Sequence, residues 1–120
     1  MSSETAAARG DSNLPLLKGT LDLLILKTLS WGPMHGFGIA SWLEARSGRA
    51  LGVDDSALYQ SLHRLEGRGL VDAEWGVTEN NRNARYYKLT RAGRQHLKRE
   101  ASVWLRYTQT VGAILAAETA

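Results

Sequence analysis

Hydrophobic residues in this chain recur with a helical period through most of its length and give way to a two-residue period in one segment past the middle. From Leu14 to Leu29, in LPLLKGTLDLLILKTL, leucines and isoleucine lie almost all the way round any helix drawn through the segment, with Lys18, Asp22 and Lys27 its only charges. A helix apolar on most faces is buried on most faces. Either it is an ordinary core helix, or one set of its residues packs on its own domain and another against a second subunit. Trp31-Gly32-Pro33 ends it, because proline has no amide to donate and biases its predecessor away from helix.

A second helix is expected from Met34 to about Arg46, with Phe37, Ile39, Ala40 and Leu43 as its apolar positions and Gly48 as a stop. Gly36 and Gly38 within it cost roughly 1 kcal/mol each relative to alanine, which suggests close approach of another backbone. His35 has no acidic or histidine partner nearby and reads as a capping or packing residue. Trp42 is either a core residue or the lining of a surface pocket.

The stretch from Val53 to Val71, VDDSALYQSLHRLEGRGLV, carries the most specific pattern. Asp54, Asp55 and Ser56 accept hydrogen bonds from the free amides of a first turn and so mark a helix start. Gly67 and Gly69 mark its end. Leu58, Leu62 and Leu65 recur at i, i+4 and i+7 and share one face. At about 100° per residue, the opposite face is Ser56, Gln60 and His63, flanked by Tyr59 and Arg64. A short helix with a leucine spine and an outer face able to hydrogen bond suits a DNA major groove, and we read it as a recognition helix.

Leu70–Trp75 and Arg85–Leu89 alternate as strands do, and 76–84 is rich in turn formers. Together they predict a β-hairpin with a long, mobile tip. Thr90 then caps a helix in which Leu97, Ala101, Trp104, Thr108, Val111 and Leu115 are spaced 4-3-4-3-4, a heptad seam widened by Tyr107 and Ile114. A helix of some 25 residues extends ~38 Å, further than so small a domain covers. The excess calls for a second copy, although packing of the helix on its own domain is the alternative. The fold class expected is therefore mainly α with a small β-hairpin: a winged helix-turn-helix over 14–90, a C-terminal dimerisation helix over 91–120, and a disordered, polar tail over 1–13.

Composition narrows the function classes. The 120 residues carry 15 Lys+Arg against 12 Asp+Glu, a net charge of +3, too small an excess to argue for an anionic partner alone. Its placement matters more: Arg82, Arg85, Lys88, Arg91, Arg94, Lys98 and Arg99 follow one another with no carboxylate between them. Such a run is usually a solvated face, but here it adjoins the recognition helix. Arg64, Arg82 and Arg85 are expected to contact phosphates, while Ser56, Tyr59, Gln60 and His63 reach base edges, Gln60 being able to pair two ways with adenine. The chain has no cysteine, which removes disulfides and thiolate sites and fits a reducing cytoplasm. No apolar run approaches the roughly 20 residues of a membrane span.

With those residues in view, the chain resembles the PadR family of bacterial transcriptional regulators from about Leu16 to Leu115. The resemblance rests on LKGTLDLLILKTL, GPMHGFGI, SALYQSLHRLEGRGLV, Trp75 and ARYYKLTRAG, in that order and spacing. It implies a homodimeric winged helix-turn-helix, usually a repressor, in which the last helix of one subunit packs on the first helix of the other. It also implies a site for a small aromatic effector at the dimer centre, where Trp104 and Tyr107 sit on the matching helix; plain packing is the other role for them. The family usually has proline where this chain has Gln60 and Gly-Thr where it has Ser56-Ala57, and both departures bear on the operator sequence. The rival function is a winged-helix protein-interaction adaptor without a DNA target. An enzyme is not expected: His35, His63 and His96 are far apart, carboxylates are unpaired, and neither a nucleophile elbow nor a phosphate-cradling glycine loop occurs. No cofactor or metal is expected.

Overall fold

The computed structural model describes residues 19–120. The expected tail over 1–13 and the first residues of the expected leading helix lie outside the described residues.

Helix α1 (Thr20–Thr28) follows Gly19, whose φ of 85° is left-handed, and tightens into a 3₁₀ turn over Leu29–Trp31. The short strand β1 (Met34–His35), helix α2 (Gly36–Arg46), helix α3 (Asp55–Gly67), strands β2 (Val71–Val77) and β3 (Asn83–Leu89), and helix α4 (Arg91–Leu115) complete the chain. The three strands form one antiparallel sheet in the order β1-β3-β2.

The core is a single cluster. α1 gives Leu21, Ile25 and Leu26, the 3₁₀ turn gives Leu29, α2 gives Ile39 and Leu43, and α3 gives Leu58, Leu62 and Leu65; Leu70 before β2 and Val71, Tyr87 and Leu89 of the sheet close it. Full burial of each such side chain is worth roughly 1.5–3 kcal/mol, so the leucine spine fixes the rotation of α3 about its own axis.

Three expectations need correction. Met34 and His35 do not begin the second helix: they pair with Tyr87 and Tyr86 as an edge strand, and the helix starts at Gly36 with His35 as its N-cap, Nδ1 accepting from the Gly38 amide at 2.9 Å. The cap supplies the acceptor that the first turn needs and also turns the chain out of the sheet. The hairpin tip is also shorter than expected, because Gly76 pairs with Ala84 and Val77 with Asn83, leaving 78–82 as the turn with Asn81 at φ 60°. Thr78 closes it, its Oγ1 accepting from the Arg82 amide at 3.2 Å. Finally, what would lie nearest a Cβ at Gly36 or Gly38 is side chain rather than backbone. Gly36 abuts the Tyr59 ring, and a Cβ at Gly38 would meet Met34 Cγ at 2.9 Å.

Trp42, left open by the sequence, packs its half-buried ring on the core and lies 5.3 Å from that of Trp31. Helix α4 stays beside the domain as far as Trp104 and then leaves it. Leu97 packs against the core, whereas every residue from Leu105 onward is exposed, and the molecule is accordingly 55 × 33 × 21 Å.

Candidate nucleic-acid interface

Asp54 opens α3, one carboxylate oxygen accepting from the Ala57 amide at 3.1 Å, and Asp55 adds a second negative charge to the first turn. Both favour the positive end of the helix. Gly69, at φ 75°, releases the chain into β2. With Leu58, Leu62 and Leu65 turned inward, Ser56, Tyr59, Gln60, His63 and Arg64 are all exposed and line one open concavity along the helix. Gln60 is barely engaged, its Nε2 lying 3.5 Å from Ser56 Oγ. Its amide therefore remains able to meet an outside partner.

Tyr59 differs from the rest of this face. Its ring leans onto Gly36, the first residue of α2, and is 49% exposed. Gly36 is the position where a side chain would displace that ring, so the glycine sets the distance between the two helices of the helix-turn-helix.

A second cleft, of about 730 Å³, opens between the start of α2, α3 and the hairpin, with His35, Phe37, Tyr59, Trp75, Arg82 and Arg85 among its walls. Phe37 and Trp75 are 77% and 72% exposed. Phe37 is one of the apolar positions of its helix but does not face the core. It stands two residues before Ile39, about 200° away, so spacing alone places it outside. Trp75 shares the inner face of the sheet with Arg85, its register partner. Below them Tyr87 is buried, and burial pushes its phenol pKa up, with the Arg85 charge opposing the shift.

The three arginines expected to contact phosphates are not equivalent. Arg64 Nη2 donates to Asp22 Oδ1 of α1 at 2.9 Å and to Ser61 Oγ at 3.0 Å. Arg85 Nη2 donates to Glu66 Oε2 of α3 at 2.9 Å. Arg82, at the end of the hairpin turn, forms no ion pair among the described residues. Pairs this exposed add little stability, about 0–1 kcal/mol each. Their effect is on direction: α3 is tied to α1 on one side and to the hairpin on the other. Asp22 and Glu66 were not singled out by sequence, since pairing between residues so distant in the chain leaves no local signal.

Trp104 and Tyr107 lie elsewhere, on α4, with ring centroids 6.2 Å apart. They border a groove of about 420 Å³ between α1 and α4, together with Asp22, Leu23, Leu26 and Val103. Trp104 is half-buried and Tyr107 is 60% exposed.

The profile of the transcriptional regulator PadR-like family matches residues 25–99, from the middle of α1 to the early turns of α4. This chain belongs to that family. Solved structures repeat the architecture described above. A PadR family transcriptional regulator from Eggerthella lenta is 26% identical, with a TM-score of 0.71 over 98% of this chain and 93% of that one. A PadR-like transcriptional regulator from Bacillus cereus is 23% identical, with a TM-score of 0.74 over 86% of this chain and 98% of that one. PadR of Bacillus subtilis, solved in complex with operator DNA, is 24% identical, with a TM-score of 0.63 over 70% of this chain and 46% of that one. The shared fold is a PadR winged helix: mainly helical, with a small three-stranded antiparallel sheet.

Proposed function

We propose that this protein is a dimeric, sequence-specific DNA-binding regulator, acting as a repressor, that places α3 in the major groove and the hairpin over 75–86 against the backbone. The observation that carries this reading is the division of α3 into a buried leucine spine and an exposed face of Ser56, Tyr59, Gln60 and His63. The hairpin beside it presents Arg82 and Arg85. Membership of a family of transcriptional regulators supports the reading, as does the fold shared with a PadR captured on operator DNA. In this assignment the four polar residues of α3 read base edges, and Arg64, Arg82 and Arg85 fix register on the duplex.

Helix α4 over 91–115 joins two copies through Trp104, Val111 and their neighbours. The groove walled by Trp104 and Tyr107 is where a small aromatic effector would be held, within reach of that junction. No helix among the described residues is long and apolar enough to cross a membrane, and the site of action assigned here is the cytoplasm.

Fluorescence anisotropy with labelled duplexes, across a salt series, tests the proposal. A duplex recovered by selection from random-sequence DNA should bind far more tightly than an unrelated one, with affinity falling linearly on a log–log salt plot. Salt-insensitive or absent binding to every duplex would favour the interaction-adaptor reading instead.

A further inference from the structure

The ion pair between Asp22 and Arg64 joins an element assigned to the core to the face assigned to DNA. Asp22 lies on α1, borders the groove with Trp104 and Tyr107, and has a side chain only 18% exposed. The Arg64 side chain is 56% exposed and borders the concavity shared with Gln60 and His63. The guanidinium is held at one nitrogen only: Nη2 donates to Asp22 Oδ1 and to the hydroxyl of Ser61, itself a buried residue of α3. Nε and Nη1 take no partner among the described residues. The guanidinium is a rigid plane, so two hydrogen bonds at Nη2 limit the directions its remaining N–H groups can take.

We infer that Asp22 is a positioning residue of the DNA interface, holding Arg64 in the orientation in which its free N–H groups meet the duplex. The inference rests on the DNA-binding reading above. A long, flexible arginine loses rotamer freedom when it engages a ligand, and a side chain ordered beforehand avoids that loss at the moment of binding. Asp22 does not itself reach the concavity on α3 and acts through Arg64. Because the same carboxylate borders the α1/α4 groove, one ion pair links that groove to the face assigned to DNA.

The test is a double-mutant cycle on the full chain, comparing Asp22→Asn, Arg64→Ala and the double variant. Anisotropy on the selected duplex at 25 °C gives affinity, and thermal unfolding of the same samples reports the fold. Asp22→Asn should weaken binding about fivefold while still fully folded at that temperature, a size typical of coupled neighbours. Arg64→Ala should weaken it at least as much and lower the salt slope by about one per protomer. The double variant should bind no more weakly than Arg64→Ala alone. Wild-type affinity in Asp22→Asn, with or without a lower Tm, overturns the inference, because Asp22 would then serve the fold alone. A loss from Asp22→Asn that is the same in the wild-type protein and in the Arg64→Ala variant overturns it too.

Should Asp22→Asn be unfolded at 25 °C, Arg64→Lys carries the test. It keeps the charge but lacks the planar fork, so it should show the same loss, and wild-type affinity would overturn the inference. If the wild-type protein binds no duplex in a salt-dependent way, the DNA-binding reading falls first, an outcome distinct from every failure above.

Discussion

The carbonyl oxygen of Leu70 lies so close to the α-carbon of Gly93 that a Cβ at position 93 would overlap it. Thr90 completes the junction: its amide donates to the Leu70 carbonyl at 3.2 Å, and its hydroxyl donates to that of Gly69 at 2.7 Å. The start of α4 is thereby fixed to the turn that leaves α3, so the long helix and the exposed face of α3 hold one orientation. Gly93→Ala should destabilise the protein by about 1–3 kcal/mol, although alanine is the better helix former by about 1 kcal/mol. The clash is with backbone, which cannot swing aside. Urea unfolding of the variant would show the lower midpoint.

Local pattern carried most of the architecture. The leucine spine, the aspartate cap and the exit glycine of α3 each act within a turn of where they stand, and the structure places all three as the spacing predicts. The heptad spacing likewise gave a helix to Leu115. What spacing missed was non-local. β1 exists only because β3 offers it an edge across some fifty residues, and two residues carry no alternation to read. The partners of Arg64 and Arg85 were hidden for the same reason. Gly93 was legible as a helix residue but not as a contact, since Leu70 reaches it only once the sheet has formed.

If the exposed face of α3 reads bases as proposed, removing its polar groups should affect selectivity more than overall affinity. Gln60→Ala combined with His63→Ala should cost about 1–3 kcal/mol per lost base contact on the selected duplex. Binding to an unrelated duplex should stay unchanged. Both side chains are exposed and neither contributes to the core, so the Tm should also hold. Equal affinity of variant and wild type for the selected duplex would remove these two residues from the interface.

Arg82 should behave in the opposite way. It stands at the hairpin turn without an ion-pair partner among the described residues, so a phosphate contact displaces no carboxylate. Arg82→Ala should weaken binding to all duplexes alike and reduce the salt slope by about one per protomer. Anisotropy on selected and unrelated DNA from low to moderate salt would show parallel losses.

Alkaline stability depends on Tyr87. Burial raises its pKa in the folded protein above the ordinary value of 10.0. Below the ordinary value the phenol is neutral in both states and contributes no pH dependence. As pH rises above it the unfolded chain ionises first, so stability is lost progressively up to the folded pKa. Tyr87→Phe removes this component. Urea midpoints measured at about pH 9 and about pH 11 should fall less in the variant than in the wild type.

The outer half of α4 is the strongest physical argument for a second copy. Tyr107, Ile114 and Leu115 are 60%, 69% and 80% exposed, and Val111 lies on the same stripe. Nothing among the described residues covers them, and so much apolar surface on one helix marks an interaction site. Val111→Glu should give monomers in analytical ultracentrifugation at concentrations where the wild type is dimeric. Arg106, about 180° round the helix from Leu97 and Leu115, supplies the control: Arg106→Glu changes charge more but should leave the dimer intact. Monomers should also lose about 10²-fold or more in affinity for a two-half-site duplex, because the second half-site is then no longer engaged within one complex. A Val111→Glu protein that remains dimeric would place the junction on another surface, and the two reading faces would then have a different spacing on DNA.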